Sequence, residues 1–241
     1  MTAQTNNILF KKSIVIIPDK IEIRIPLVGE IMESDEEEYY RLVSLLTAMP
    51  IDCMVQLDDV GVDFTTINEY ELFFMLFQSL QKSDTSLVFG DLDLTKFRVD
   101  RNPLNDEYIL RHTKDDIVID RGVYTHIADA LRKIHNLEKN NKKPADESTR
   151  QYLIERARKK MKRKRQYQSQ LESLIIALVN TEQCKYNFDG IRELSIYQFN
   201  ECVKQIIKKI DYDNRMYGIY AGTINAKELS QNDLIWLPQN K

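Results

Sequence analysis

A stretch of more than thirty residues without glycine or proline, TRQYLIERARKKMKRKRQYQSQLESLIIALVN (149–180), constrains this chain most. Only a long helix uses such a run well, and Ser148 before it predicts an N-cap, its hydroxyl taking an early orphan N–H. The first half is dense in cations: Arg150, Arg156, Arg158, Lys159, Lys160, Lys162, Arg163, Lys164 and Arg165. The second half turns apolar at Leu171, Leu174, Ile175, Ile176, Leu178 and Val179. One end therefore calls for water or an anionic partner, the other for a core. This helix is expected to be the spine between an α+β half and a helical half.

The upstream half reads as mixed. Residues 8–31 alternate apolar and polar with period two, most clearly in Lys20-Ile21-Glu22-Ile23-Arg24-Ile25, which predicts a half-buried hairpin turning at Pro18-Asp19. An acidic helix follows from about Ser34 to Met49, capped by Ser34 and stopped by Pro50. Residues 51–64 fit a short helix or a strand equally well. Thr66 with Glu69 fits a capping box opening the apolar helix INEYELFFMLFQSLQ. LVFGDLDLTKFRV, EYILRH and DDIVID then read as a three-stranded antiparallel meander, and Asp120 as the cap of RGVYTHIADALRKIHNL.

EKNNKKPADE (138–147) is polar and aperiodic and reads as a linker. After the spine helix, CKYNFDG is expected to be a loop. Ser195 is expected to cap the helix IYQFNECVKQIIKKI, whose apolar set includes Phe199, Val203, Ile206, Ile207 and Ile210. A further short helix is expected to turn Met216, Ile219 and Tyr220 inward, with Trp236 in an extended end. The predicted fold class is α+β: an antiparallel hairpin and meander with packed helices over 1–137, the linker 138–147, and a mainly helical domain over 148–241.

No reactive constellation stands out. Seven glycines in 241 residues leave little for a phosphate-cradling loop, and no GxSxG, GxxxxGK[ST] or GxGxxG occurs. Asp58, Asp59 and Asp63, or Asp91 and Asp93, could meet at a divalent cation, but loop acids are more often caps and turn formers. His112, His126 and His135 lack metal-site spacing and read as surface or structural residues; Cys53, Cys184 and Cys202 form no CxxC pair and read as packing residues. No cofactor and no enzymatic activity are expected. The N-terminus lacks a signal-peptide core and no apolar run is long enough to span a bilayer, which predicts a cytoplasmic protein.

The formal charge of −3 hides segregation, with acids upstream and cations in the spine. Such asymmetry suits an electrostatically guided contact. The candidate partner-binding residues are Arg156, Lys159, Lys160, Lys162, Arg163, Lys164 and Arg165, with Phe73, Phe74 and Phe77 from the aromatic cluster upstream. A cationic helix can also neutralise nucleic-acid phosphates, so a nucleic-acid partner is the alternative to a protein one.

IRIPLVGEI (23–31), YYRLVSLLTAMPIDCMVQLDDVGVDFT (39–65), VFGDLDLTKF (88–97) and DNRMYGIYAGTI (213–224) resemble a family encoded among the virion-assembly genes of phages of clostridia and related bacteria. Its setting and short β start are similar to phage tail assembly chaperones. The resemblance implies a protein of the infected host's cytoplasm that binds tube, tape-measure or other virion proteins, or else a minor virion component. It carries no catalytic residue to any position.

Overall fold

The computed structural model describes residues 7–162 and 166–237. The fold is α+β. Strands β1 (Ser13–Ile17) and β2 (Ile21–Arg24) form the expected antiparallel hairpin, with Ile14 opposite Ile23 and Asp19 in the left-handed region at the turn. Ile21 and Ile23 are fully buried, as the period-two pattern requires. The strand does not run on to residue 31: Val28–Glu33 is a short helix, α1. Ser34 closes α1, and Asp35 rather than Ser34 caps α2 (Glu36–Thr47), its carboxylate accepting the Glu38 N–H at 3.0 Å.

Residues 50–59 resolve the ambiguity in favour of helix. A 3-10 turn (Pro50–Cys53) leads into α3 (Met54–Asp59). The next capping box is Asn68 with Glu71, two residues beyond the expected Thr66 and Glu69; Asn68 Oδ1 takes two backbone N–H groups of α4 (Glu69–Leu80). Thr66 instead turns its hydroxyl to the Asp63 carbonyl, leaving the better acceptor to cap. After α5 (Ser86–Phe89) comes the meander β3 (Phe97–Arg101), β4 (Tyr108–His112) and β5 (Val118–Ile119), antiparallel throughout. The first strand begins later than LVFGDLDL suggested, because Ser86–Phe89 is helical and Gly90 turns the chain at φ +61°. Asp120 caps α6 (Arg121–His135) through the Val123 N–H, as its position predicted.

The spine is not one helix. α7 (Glu147–Met161) is capped by Asp146, not Ser148, and ends at Lys162; α8 (Gln170–Val179) starts afresh at Ser169, whose hydroxyl accepts the Glu172 N–H at 2.8 Å. Like charges three and four apart weaken a helix over 156–162, and Ser169 offers a new start. The expected loop at 184–190 is partly helical: Asn187 caps α9 (Phe188–Arg192). α10 (Ile196–Tyr220) is capped by Ser195 as expected but runs 25 residues, absorbing the separate short helix expected after it. Tyr220 consequently points to solvent rather than inward.

The main core gathers Ile21, Ile23, Leu42, Leu46, Phe73, Phe77, Leu110, Tyr124, Ile127 and Leu131 with Leu171, Leu178, Ile191 and Phe199. Residues on both sides of 138–147 thus share one apolar interior. Backbone bonds fasten the junction: Val28 N–H donates to Leu194 and Ile196 N–H to Pro26, each at 2.8 Å. α9 lies so close to α1 that a Cβ on Gly29 would sit 2.5 Å from Arg192 Cγ. A second, smaller cluster of Ala48, Leu57, Phe64, Leu72 and Ile154 holds α7 against α3. No described helix is long and apolar enough to cross a membrane.

Candidate protein-binding surfaces

The aromatic helix α4 divides its rings between core and surface. Phe73 and Phe77 are buried, and Phe73 stacks on Tyr124 of α6 with centroids 4.4 Å apart. Phe74, one position round the helix, is half-buried and packs edge-on against Tyr70 at 5.0 Å. It opens onto a cleft of about 370 Å³ between α4, β4 and the start of α6.

The cleft's floor is Phe74, Met75 and Tyr108; its rim is Glu71, Asp106, Glu107 and Arg121. Local structure sets each group. Tyr70 donates its hydroxyl to the Tyr108 carbonyl at 2.7 Å, tying helix to strand, and burial raises the Tyr70 phenol so that it stays protonated. Arg121, at the first position of α6, lies 5.1 Å from the Tyr70 ring centroid and donates twice to Glu107 Oε1. Arg101 covers the Tyr108 ring at 4.5 Å. The result is an apolar slot with charge held at its edge, able to take an apolar side chain or a short segment with a polar flank. Arg121 and Glu107 carry no signal in the sequence. Only the pairing of β4 with α4 brings them to the aromatic residues.

The basic helix presents a different face. Ile154 is its buried anchor on α3, and Arg158 reaches the carboxylates of Asp58, at 2.8 Å, and Asp59. Arg150 pairs with Glu147 at 2.7 Å and lies 3.9 Å from Asp63. That pairing holds the Glu147 carboxyl down at about 2. The acidic residues of 58–63 and the basic helix therefore meet partly within one chain. Arg156, Lys159, Lys160 and Lys162 are exposed beyond that contact. Arg163, Lys164 and Arg165 lie outside the described residues.

The remaining polar candidates do local work. Asp63 and Asp93 accept the N–H and hydroxyl groups of Thr65 and Thr95, which hold both carboxyls below their usual range. Among the described residues no three His, Cys, Asp or Glu side chains converge as a metal site. His112 Nδ1 accepts the Asp115 N–H at 2.9 Å, and His126 is exposed. His135 is buried against Tyr39, its Nε2 3.0 Å from the phenol oxygen, and burial lowers its pKa to about 4. The three cysteines are free.

Residues 160–239 match the family model described as YomV second domain, a phage-derived family. The match takes in the C-terminal third of the chain, from the last turn of α7 through α8, α9, α10 and the segment after it, and includes DNRMYGIYAGTI. No curated protein and no solved structure matches the chain.

Proposed function

We propose that this chain binds other proteins during phage assembly, acting in the host cytoplasm as a tail assembly chaperone rather than as an enzyme. The observation that carries the reading is the cleft over Phe74, Met75 and Tyr108, an aromatic surface that the fold leaves partly uncovered beside the buried core. The phage-derived match over 160–239 supports the setting. In this reading the cleft shields an apolar segment of a tube or tape-measure protein until assembly. The exposed cations of α7 guide acidic partner surface toward it.

Co-expression with the tube and tape-measure proteins tests the proposal. The expected result is co-purification and a larger soluble fraction of one of them, lost in a Phe74→Ser, Tyr108→Ala variant. Replacing Lys159, Lys160 and Lys162 with Gln is expected to weaken capture without abolishing it. If neither protein co-purifies or gains solubility, the proposal falls. Retention on duplex DNA with a steep salt dependence, lost in the Lys→Gln variant, would replace it with nucleic-acid binding.

A further inference from the structure

Val203 and Ile206 still pack against the core; beyond Ile206, α10 continues as an arm. One side of this arm is covered by the chain's own final segment. Arg215 donates to the Asp233 carboxylate at 3.0 Å, the Lys209 ammonium lies 5.6 Å from the Trp236 ring centroid, and Gly218 admits Ile224 so closely that a Cβ would meet it at 2.5 Å. Another side begins at Val203, half-buried against the core, and from Ile207 onward no described residue covers it. Val203, Ile207, Ile210, Asn214, Tyr217 and Ala221 follow one another at steps of four, three, four, three and four. Ile207 is 60% exposed, Ile210 37% and Tyr217 74%; Asn214 and Ala221 are exposed as well.

Apolar residues at an average spacing of three and a half are what a helix presents to another helix in a coiled coil. A solvated helix has no reason to keep that spacing on its outer face. The single Asn in the stripe resembles the lone polar seam residue that fixes register in such pairs. Lys204 and Asp211 lie along one flank of the stripe, seven apart and both exposed. In the free arm Asp211 accepts from Arg215 at 2.9 Å and Lys204 lies 3.9 Å from Glu201.

We infer that a second copy of this chain covers the stripe, arm against arm and antiparallel. Placing the two-fold axis between Lys208 and Lys209 sets Ile207 against the other copy's Ile210, and Val203 against its Asn214. The same placement brings Lys204 beside Asp211 of the other copy, and symmetry repeats the pair. A parallel arrangement sets Lys204 near Phe199 and Asp211 near Ile206, so it forms no opposite-charge pair. Charge complementarity therefore selects both the partner and its direction. Tyr217 at the distal end then reaches the first turns of the other copy's α10.

Light scattering and sedimentation of the full chain across a wide concentration range test this. A reversible dimer is expected. Ile207→Asp with Ile210→Asp should leave a monomer of unchanged helix content, with the unfolding midpoint that the unsubstituted chain shows when diluted to monomer. Lys204→Asp or Asp211→Lys alone should weaken the dimer about tenfold, and the two together should restore it. A monomer at every concentration, or a dimer indifferent to Ile207 and Ile210, overturns the inference. So does failure of the double charge swap to restore association. In a background with Cys53, Cys184 and Cys202 changed to Ser, an Asn214→Cys variant that cross-links to its counterpart would show a parallel pair and overturn it too. Capture of the arm by a purified tail protein in place of self-association would do the same.

Discussion

Helices α6 and α10 both carry a regular apolar stripe, yet they live in opposite environments. α6 buries eight of its fifteen residues between α2, α4, the hairpin and the start of α10. α10 is longer by ten residues and fully buries only Ile196 and Phe199. The difference shows that periodicity reports that a face is meant to be covered, and not by what. α6 finds its cover within the chain. Among the described residues, the distal part of α10 finds the final segment, on one side.

The sharpest way to break that comparison is to cut into each helix where it is covered. Phe199→Ala on α10 should cost about 3–5 kcal/mol and Leu131→Ala on α6 about 2–5 kcal/mol, read by urea denaturation, because both leave a cavity in the shared core. Similar losses would confirm that the first turn of α10 belongs to the same interior as α6. A loss below about 1 kcal/mol at Phe199 would mean that α10 is docked loosely throughout.

His135 at the end of α6 sharpens the contrast through pH. Its pKa is lowered by burial to about 4 from an ordinary 6.5. Above 6.5 neither state is protonated, and the residue adds no pH dependence. Between 6.5 and 4 the unfolded chain takes up a proton that the folded chain refuses, so stability falls as pH falls, by up to about 1.4 kcal/mol per pH unit. Below 4 this slope ends. His135→Gln should flatten that share of the acid limb in denaturation curves taken across the window. An unchanged slope would mean that the imidazole reaches solvent.

The smallest effect is expected on the bare side of the arm. Ile207→Ala and Tyr217→Ala, measured in dilute solution, should shift stability by no more than about 0.5 kcal/mol. A larger loss there would show that the stripe already has a partner within the chain.

Much of the local structure was legible. The alternation at Lys20–Ile25, the turn at Pro18-Asp19, and the caps at Asp120 and Ser195 follow from side-chain chemistry that acts over a few residues. Cap competition was harder to read. Asp35 beside Ser34, and Asn68 beside Thr66, differ only in which acceptor the backbone happens to face. The break near Lys162 was harder still, since single like-charge pairs cost a helix only a few tenths of a kcal/mol and Ser169 tips the balance. Within α4, the run FFMLF announced burial, but a helix turns about 100° per residue. Phe73 and Phe77 therefore face Tyr124 and the core while Phe74 lines the cleft.

By itself the sequence determined the β1–β2 hairpin, the helices at α2, α4, α6 and the start of α10, and which of their faces shun water, because those depend on neighbours three or four residues away. Tertiary structure alone decided which of those faces meet. Packing of β4 on α4 brought Arg121 and Glu107 to the aromatic slot, and docking of α7 on α3 spent Arg158 on Asp58 and Asp59. It also left Ile207, Ile210 and Tyr217 of α10 exposed. The physical reason is one of range: hydrogen-bonded turns are settled locally, whereas burial and ion pairing depend on residues a hundred or more positions apart in the chain.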